Sequence, residues 1–266
     1  MELKNYNIYG KKPFIIVVVH GGPGAAGEMK PVAKKLSRHC GVLEPLQTAA
    51  SINGQLEELK SVLEEKGDLP IQLIGFSWGA WLSYLFAAKF PDLVKKLILV
   101  GSGSFDEKYA QKIQQTRLSR LSENDRKKYH SLIKILSDPS VGSKHEALQQ
   151  MGKLCEEVDT YEPIEDETPK IDFRADIFQS IWQEAAELRR SGKLLEWGKK
   201  IQCPVVAIHG DYDPHPAEGV QKPLSVILND FRFILLKNCG HKPWIERWAK
   251  DEFYRILGNE LRKYAV

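Results

Sequence analysis

Five short runs of apolar residues, rich in β-branched side chains, alternate with helix-like segments along most of the 266-residue chain. Apart from Gln72 and Arg232, each run is apolar at consecutive positions, as a strand covered on both faces requires. This alternation predicts an α/β fold with a mostly parallel central sheet flanked by helices. The predicted strands are Phe14–Val19, Ile71–Ile74, Leu97–Val100, Val205–Ile208 and Phe231–Leu236, with a weaker strand at Val42–Leu46 and a possible antiparallel edge strand within Leu3–Tyr9. The predicted helices are Met29–Arg38, Gln55–Glu65, Trp78–Lys89 and Pro243–Leu257.

The alternation stops over residues 105–200, which carry 17 basic and 18 acidic residues and are more densely charged than the rest of the chain. Their apolar residues recur at helical spacing, most clearly from Ile171 to Leu188. Asp138-Pro139, Gly142-Ser143 and Thr168-Pro169 predict breaks between helices. We therefore predict an α/β core formed by residues 1–104 and 201–266, with residues 105–200 inserted as a helical cap, or lid.

Charge and cysteine content exclude several classes of protein. Thirty-eight Lys and Arg against 35 Asp and Glu leave a net charge of +3, too small to indicate a nucleic-acid or anionic-membrane partner. Four cysteines without a CxxC pair indicate neither a zinc site nor a disulfide core. The longest apolar run, Phe14–Val19, is shorter than the roughly 20 residues that span a bilayer, and the first residues lack the apolar core of a signal peptide. We expect a cytoplasmic protein without nucleic-acid or membrane partners.

The pentapeptide Gly75-Phe-Ser-Trp-Gly79 follows a predicted strand and begins a predicted helix. Glycines two positions before and after Ser77 remove side chains that would collide across so tight a strand-to-helix turn. This is the pattern of a nucleophile elbow, which exposes a serine hydroxyl at the edge of a sheet. A chance match to this short pattern is common, but the strand and helix around it favour the elbow.

A second glycine-rich turn, His20-Gly-Gly-Pro-Gly24, ends the strand Phe14–Val19. Its backbone amides are expected at the same edge of the sheet as Ser77, and we predict an oxyanion hole formed by the amides of Gly22 and Trp78. The alternative is a phosphate-binding loop. Pro23 removes one donor and no Lys-Thr pair follows, so the oxyanion hole is favoured.

A nucleophilic serine also needs a base and an acid. His241 follows the strand Phe231–Leu236, and Asp211 and Asp213 follow the strand Val205–Ile208, which gives the chain order Ser, Asp, His expected for a serine nucleophile on this fold. Among the seven histidines only His215 competes with His241 as the base. Its position between two prolines favours a pocket wall.

The segments HGGPG, GFSWGA, HGDYDP and CGHKPWIE together resemble the α/β-hydrolase superfamily, and HGGPG with a tryptophan after the nucleophile most resembles its proline iminopeptidase branch. The resemblance covers residues 14–104 and 201–256 and implies that the cap follows the equivalent of the family's sixth strand. It implies Ser77 as nucleophile and His241 as base. The family's G-x-x-D pattern aligns Gly210 with Asp213, so Asp213 is the implied acid and Asp211 the second choice.

One departure from the branch bears on substrate. The iminopeptidase branch usually has a D-x-R-G-x-G-x-S turn where this chain reads Glu44-Pro-Leu-Gln-Thr-Ala-Ala-Ser51, which disfavours the specific peptidase assignment. Residues 156–167 hold seven acidic and no basic side chains. Such a run is usually a solvated loop, and the alternative is that one or two of its carboxylates bind a substrate ammonium.

The sequence therefore predicts a serine hydrolase that cleaves an ester or amide bond of a small-molecule or short-peptide substrate through an acyl-enzyme on Ser77. No cofactor or metal is implied. The alternatives are a proline iminopeptidase-like aminopeptidase, a C–C hydrolase or lyase and, less favoured, a non-enzymatic ligand-binding protein on the same fold. The sequence does not indicate an oligomeric state.

Overall fold

A computed structural model describes residues 5–138, 140–164 and 174–262. Its centre is a seven-stranded sheet in the order β1-β3-β2-β4-β5-β6-β7, in which β1 pairs antiparallel with β3 and the other neighbours pair parallel. The strands are β1 (Tyr6–Tyr9), β2 (Ile16–Val19), β3 (Val42–Pro45), β4 (Ile71–Phe76), β5 (Val94–Val100), β6 (Val205–Gly210) and β7 (Phe231–Leu236). The predicted fold class, including the antiparallel edge strand, is confirmed.

The sheet separates two apolar layers, and successive strand residues enter opposite layers. In β2, Val17 and Val19 pack on one side while Ile16 and Val18 pack on the other. This explains why the strands are apolar at consecutive positions. The helices outside residues 105–200 are α1 (Lys30–Leu36), α2 (Ile52–Lys66), α3 (Trp78–Lys89), α9 (Glu218–Ile227) and α10 (Lys250–Arg262), with 3₁₀ turns at Pro91–Leu93 and Pro243–Ile245.

Between β5 and β6, the described residues form five helices and a 3₁₀ turn. They are α4 (Glu107–Arg120), α5 (Glu123–Ser137), α6 (His145–Asp159), α7 (Ala175–Arg190), α8 (Lys193–Glu196) and the turn Trp197–Lys200. Buried residues of α5 and α6, such as Leu132 and Leu154, form a small apolar cluster of their own. In contrast, Ile177 and Ile181 of α7 and Leu194 of α8 join the main layer that contains α3.

The structure corrects two helix predictions. The segment Pro243–Leu257 does not form one helix, because Glu246 breaks it: this residue is extended, bridges Pro163, and its buried carboxylate accepts backbone N–H bonds from Gly240 and Tyr161. Helix α9, which contains Pro223, was not predicted. The predicted breaks at Pro139 and Pro169, and the start of the helical pattern at Ile171, lie outside the described residues.

Candidate active site

The nucleophile elbow forms where β4 ends and α3 begins. Ser77 has φ 52° and ψ −116°, a conformation outside the usual regions for a residue with a side chain. A methyl group at Gly75 would overlap the carbonyl oxygen of Gly79, and one at Gly79 would overlap the carbonyl oxygens of Val19 and His20. The two glycines of the motif are therefore required by the close approach of backbone segments.

Three side chains from three strand ends form one hydrogen-bonded chain. Ser77 Oγ lies 3.0 Å from His241 Nε2, and His241 Nδ1 lies 2.7 Å from Asp213 Oδ2. The parallel strands β4, β6 and β7 bring these residues together, because all three follow the carboxyl ends of their strands. The structure thus brings together the three residues that the sequence analysis selected.

Asp213 and Asp211 lie in different surroundings. The Asp213 side chain is fully buried, whereas Asp211 is exposed and lies 3.5 Å from the Lys237 ammonium. Burial disfavours the ionised form of Asp213, but His241 and His215 outweigh this effect and hold its pKa well below the usual range. Among these two acids, only Asp213 contacts His241 in the structure.

His215 is a second partner of the same carboxylate. Its Nδ1 lies 2.8 Å from Asp213 Oδ1, and its ring stacks on that of His241 with centroids 4.6 Å apart. Burial lowers the pKa of His215, and the opposing pull of Asp213 does not restore it. For His241 the balance differs: burial disfavours the imidazolium, but the Asp213 carboxylate raises the pKa above its ordinary value. His241 is thus the more basic of the two stacked rings.

Asp213, His215 and His241 also form a group whose ligand atoms lie within 4.8 Å of one another, close enough to share a metal ion. In the part of the chain that the structure describes, no other set of three such side chains does so. The three residues are already joined by the two imidazole–carboxylate hydrogen bonds, and the one to His241 leaves its Nε2 directed at Ser77 Oγ.

The predicted oxyanion-hole residues are Trp78, which directly follows Ser77, and Gly22, which lies in the turn after β2. Neither the Gly22 nor the Trp78 backbone N–H donates to an acceptor among the described residues, which leaves both amides available. The loop that carries Gly22 is held by His20, which is buried and whose Nε2 lies 3.0 Å from the Leu46 carbonyl oxygen.

A buried amide network, which the sequence analysis missed, connects these two sides of the site. Gln47 donates from Nε2 to the His20 carbonyl oxygen at 2.8 Å, and its Oε1 accepts from the Trp78 indole N–H at 2.9 Å. Gln55 Oε1 accepts from the same indole N–H at 3.1 Å. Gln47 has φ 51°, a left-handed conformation that no sequence pattern around it indicated.

A cavity of about 310 Å³ opens beside Ser77. Its wall combines residues that follow the strand ends with residues from α3, α4, α5 and α7. His215 lines it, as predicted. Trp81 is buried, donates its indole N–H to the Gly103 carbonyl oxygen and also borders the cavity. The lining residues are Ser77, Trp78, Trp81, Gly103, Ala110, Ile113, Gln114, Arg117, Tyr129, Ile133, Trp182, Arg189 and His215.

The described acidic residues of 156–164 do not line this cavity. The interpretation of this run as a solvated loop is wrong for its first half, because Glu156–Asp159 lie in α6 and Asp159 is buried. Glu156 pairs with Lys242 and Asp159 with Arg117, while Glu162 pairs with Arg247. The last three acidic residues of the run, 165–167, lie outside the described residues.

Comparisons with known proteins agree with this architecture. A family model for the alpha/beta hydrolase fold matches residues 15–247, and the chain belongs to this family. Over 209 residues it is 25% identical to human monoacylglycerol lipase ABHD6, covering 75% of this chain and 58% of the lipase. It is 24% identical over 277 residues to a proline iminopeptidase of Lactobacillus delbrueckii subsp. bulgaricus, covering 88% of this chain and 86% of that protein.

A solved structure shows the same fold. The proline iminopeptidase of Mycobacterium smegmatis superimposes with a TM-score of 0.66 at 17% identity, covering 97% of this chain and 94% of that one. Within the described ranges, no helix combines the length and apolar character needed to cross a bilayer.

Proposed function

We propose that the protein is a serine hydrolase that cleaves an ester bond of a small substrate through an acyl-enzyme on Ser77. The observation that carries this proposal is the continuous hydrogen-bonded chain from Ser77 through His241 to Asp213, which opens into the 310 Å³ cavity. A ligand-binding protein without catalysis would have no need of an aligned nucleophile, base and acid.

In this mechanism His241 Nε2 takes the proton of Ser77 Oγ as the oxygen attacks the carbonyl carbon. The amides of Gly22 and Trp78 donate to the resulting oxyanion. His241 then gives its proton to the departing alkoxide, and the same residues activate a water that hydrolyses the acyl-enzyme. Asp213 keeps the Nδ1 proton in place and stabilises the imidazolium.

We infer that residues 105–200 act as the cap that closes over the core. Support comes from the cavity wall, to which α4 contributes Ile113, α5 contributes Ile133 and α7 contributes Trp182. The aromatic and aliphatic character of this wall suits an apolar acyl or alcohol group. We therefore place the choice between substrates in the cap and the chemistry in the core.

Aminopeptidase activity is the second candidate. The similarity to proline iminopeptidases over most of the chain favours it. Against it, the described wall of the cavity contains no carboxylate that could bind a substrate ammonium. Ester hydrolysis is therefore the preferred hypothesis.

A fluorophosphonate probe followed by intact-mass measurement tests the proposal. We expect one adduct in the wild type, none in Ser77→Ala, and a loss of kcat on nitrophenyl esters by several orders of magnitude in that variant. Ser102→Ala is the matched control, since Ser102 is also buried after a neighbouring strand, but its hydroxyl bonds, among the described residues, only to Gly103. Labelling that persists in Ser77→Ala would refute the assignment.

A further inference from the structure

Two arginines from the helical segment reach the cavity that contains Ser77. Arg117 lies on α4 and Arg189 on α7, and both side chains are largely buried. The mechanism proposed above does not use either of them. A largely buried guanidinium is costly to desolvate unless it has a partner.

Arg117 is held by one edge of its guanidinium group. Nε donates to Asp159 Oδ1 at 2.8 Å and Nη2 to Asp159 Oδ2 at 2.6 Å. Asp159 in turn is anchored beside the catalytic centre, because its backbone carbonyl oxygen accepts from the His241 N–H at 2.8 Å. Nη1 of Arg117 bonds to none of the described residues, so a second edge remains open for a ligand.

Arg189 is arranged in a similar way on the other helix. Its Nε donates to Glu107 Oε2 at 2.7 Å, and its guanidinium carbon lies 5.5 Å from the Trp81 ring centroid. In the described part of the chain, its two terminal nitrogens have no hydrogen-bond partner. The two carboxylates that hold these arginines, Asp159 and Glu107, are absent from the cavity wall.

We propose that Arg117 and Arg189 form a subsite for an anionic group, and that the natural substrate is an ester that also carries a carboxylate. This inference rests on the proposed function and adds the substrate class. A guanidinium has five N–H donors, so an arginine that is paired along one edge can still bind a second carboxylate along another. The Asp159 and Glu107 pairs fix the two side chains in place, which reduces the entropy lost when a ligand binds.

The test compares pairs of esters of similar size in which one member carries a carboxylate and the other a neutral group. In the first pair the acyl chain ends in a carboxylate or its methyl ester: the mono-nitrophenyl ester of adipic acid and the corresponding nitrophenyl methyl adipate. In the second pair the charge is on the leaving group: a carboxy-nitrophenyl hexanoate and its carboxamide. For at least one pair we expect the wild type to have a kcat/KM about 10-fold or more higher for the charged ester, as charge-assisted hydrogen bonds produce.

Two variants and one control assign this preference to the arginines. Arg189→Gln removes one charge, and Arg117→Lys keeps the charge opposite Asp159 while losing the planar fork. We expect each to lower the ratio of charged to neutral kcat/KM several-fold, chiefly through KM. The control is Arg190→Gln, because Arg190 is exposed, pairs with Glu187 three residues earlier and does not line the cavity. This control should leave the ratio unchanged.

The possible outcomes distinguish failure of the anionic subsite from failure of the proposed hydrolase function. A ratio of one or less in both ester pairs, or a preference that persists undiminished in both arginine variants, would overturn the anionic subsite while leaving the hydrolase intact. If neither charged nor neutral esters were hydrolysed in a Ser77-dependent way, the hydrolase proposal would fail and this inference with it.

Discussion

The carboxyl edge of the sheet and the helical segment that borders it hold their polar residues in different ways. Asp213 and His241 sit at strand ends, buried and joined by a hydrogen bond of 2.7 Å. Arg117 and Arg189, on helices α4 and α7, are held by carboxylates that come from α6 and from α4 itself. The sheet edge places its residues through backbone topology, and the helical segment places its own through side-chain pairs.

The residues at the sheet edge are therefore harder to change than those of the helical segment. Moving a strand end would require the parallel sheet to shift register, which would turn buried side chains to the wrong layer. Replacing a side-chain pair in the helical segment requires no such change. We therefore expect substitutions at the sheet edge to affect every substrate, and substitutions in the helical segment to affect the choice between substrates.

The largest effect is expected at the acid. Asp213→Asn should lower kcat on a neutral nitrophenyl ester by about 10⁴-fold, because the amide no longer stabilises the His241 imidazolium or its required tautomer. The fold should persist, since the shape of the side chain is kept. Steady-state kinetics at matched thermal stability measures the effect.

Asp211→Asn is the paired control for this prediction. Asp211 is exposed and accepts only a 3.3 Å bond from the Cys239 backbone N–H besides its contact with Lys237, so kcat should change little. The reverse ranking of the two variants would assign the acid to Asp211 and contradict the distinction between buried strand ends and exposed loops.

Two helical glycines extend the comparison to stability. Gly79→Ala in α3 should destabilise the protein by about 1–3 kcal/mol or more, since the new methyl group overlaps backbone oxygens of β2 and the loop that follows it. Gly152→Ala in α6 meets nothing within 4 Å and should stabilise by about 0.5–1 kcal/mol through helix propensity. Denaturant unfolding measures both changes. A destabilised Gly152→Ala would show that α6 is packed as tightly as the sheet edge.

A smaller effect is expected on the acid limb of the pH profile, which is the pH range over which kcat/KM rises. In the proposed mechanism His241 must be neutral to accept the Ser77 proton, and Asp213 raises the pKa of His241. We therefore expect kcat/KM to rise with pH, with the midpoint of this rise above the ordinary pKa of histidine. His215→Phe keeps an aromatic ring beside His241 but removes a donor to Asp213. The carboxylate then attracts the imidazolium more strongly, and the limb should move to higher pH. A limb that moves to lower pH would contradict the shared-carboxylate geometry.

The sequence was sufficient to place the polar residues at the sheet edge, because short local patterns indicate their positions. Gly75 and Gly79 report a tight turn, and a histidine or aspartate just past an apolar strand can occupy only the carboxyl edge. Glu246 and Gln47 could not be predicted in this way. Their roles depend on distant partners, Tyr161 for one and Trp78 for the other, that no local pattern connects.

The helical segment was predictable only in outline. Apolar spacing indicated the buried stripe of α7, where Ile177 and Ile181 are indeed buried. The same spacing placed Trp182 on that stripe, but it is 44% exposed at the cavity. Periodicity reports which side of a helix is apolar, and an apolar side that borders a cavity gives the same signal as one that borders a core.

The smallest effect is expected for a free amino group on the substrate. If the acidic run bound an ammonium, an alanyl or prolyl arylamide would be turned over much faster than its N-acetyl form, by about 10-fold or more. Three of the run's four described acidic residues are paired elsewhere: Asp159 with Arg117, Glu156 with Lys242 and Glu162 with Arg247. The fourth, Glu157, is exposed and does not line the cavity. The paired charges are neutralised locally and the exposed one is screened by solvent, so any pull on a substrate amine is worth a few tenths of a kcal/mol. We expect the two arylamides, or the matching aminoacyl and N-acetylaminoacyl esters, to differ by less than about 3-fold. A strong preference for the free amine would contradict this expectation and favour the aminopeptidase hypothesis. It would also mean that the helical segment supplies an ammonium-binding carboxylate that is not among the cavity residues described above.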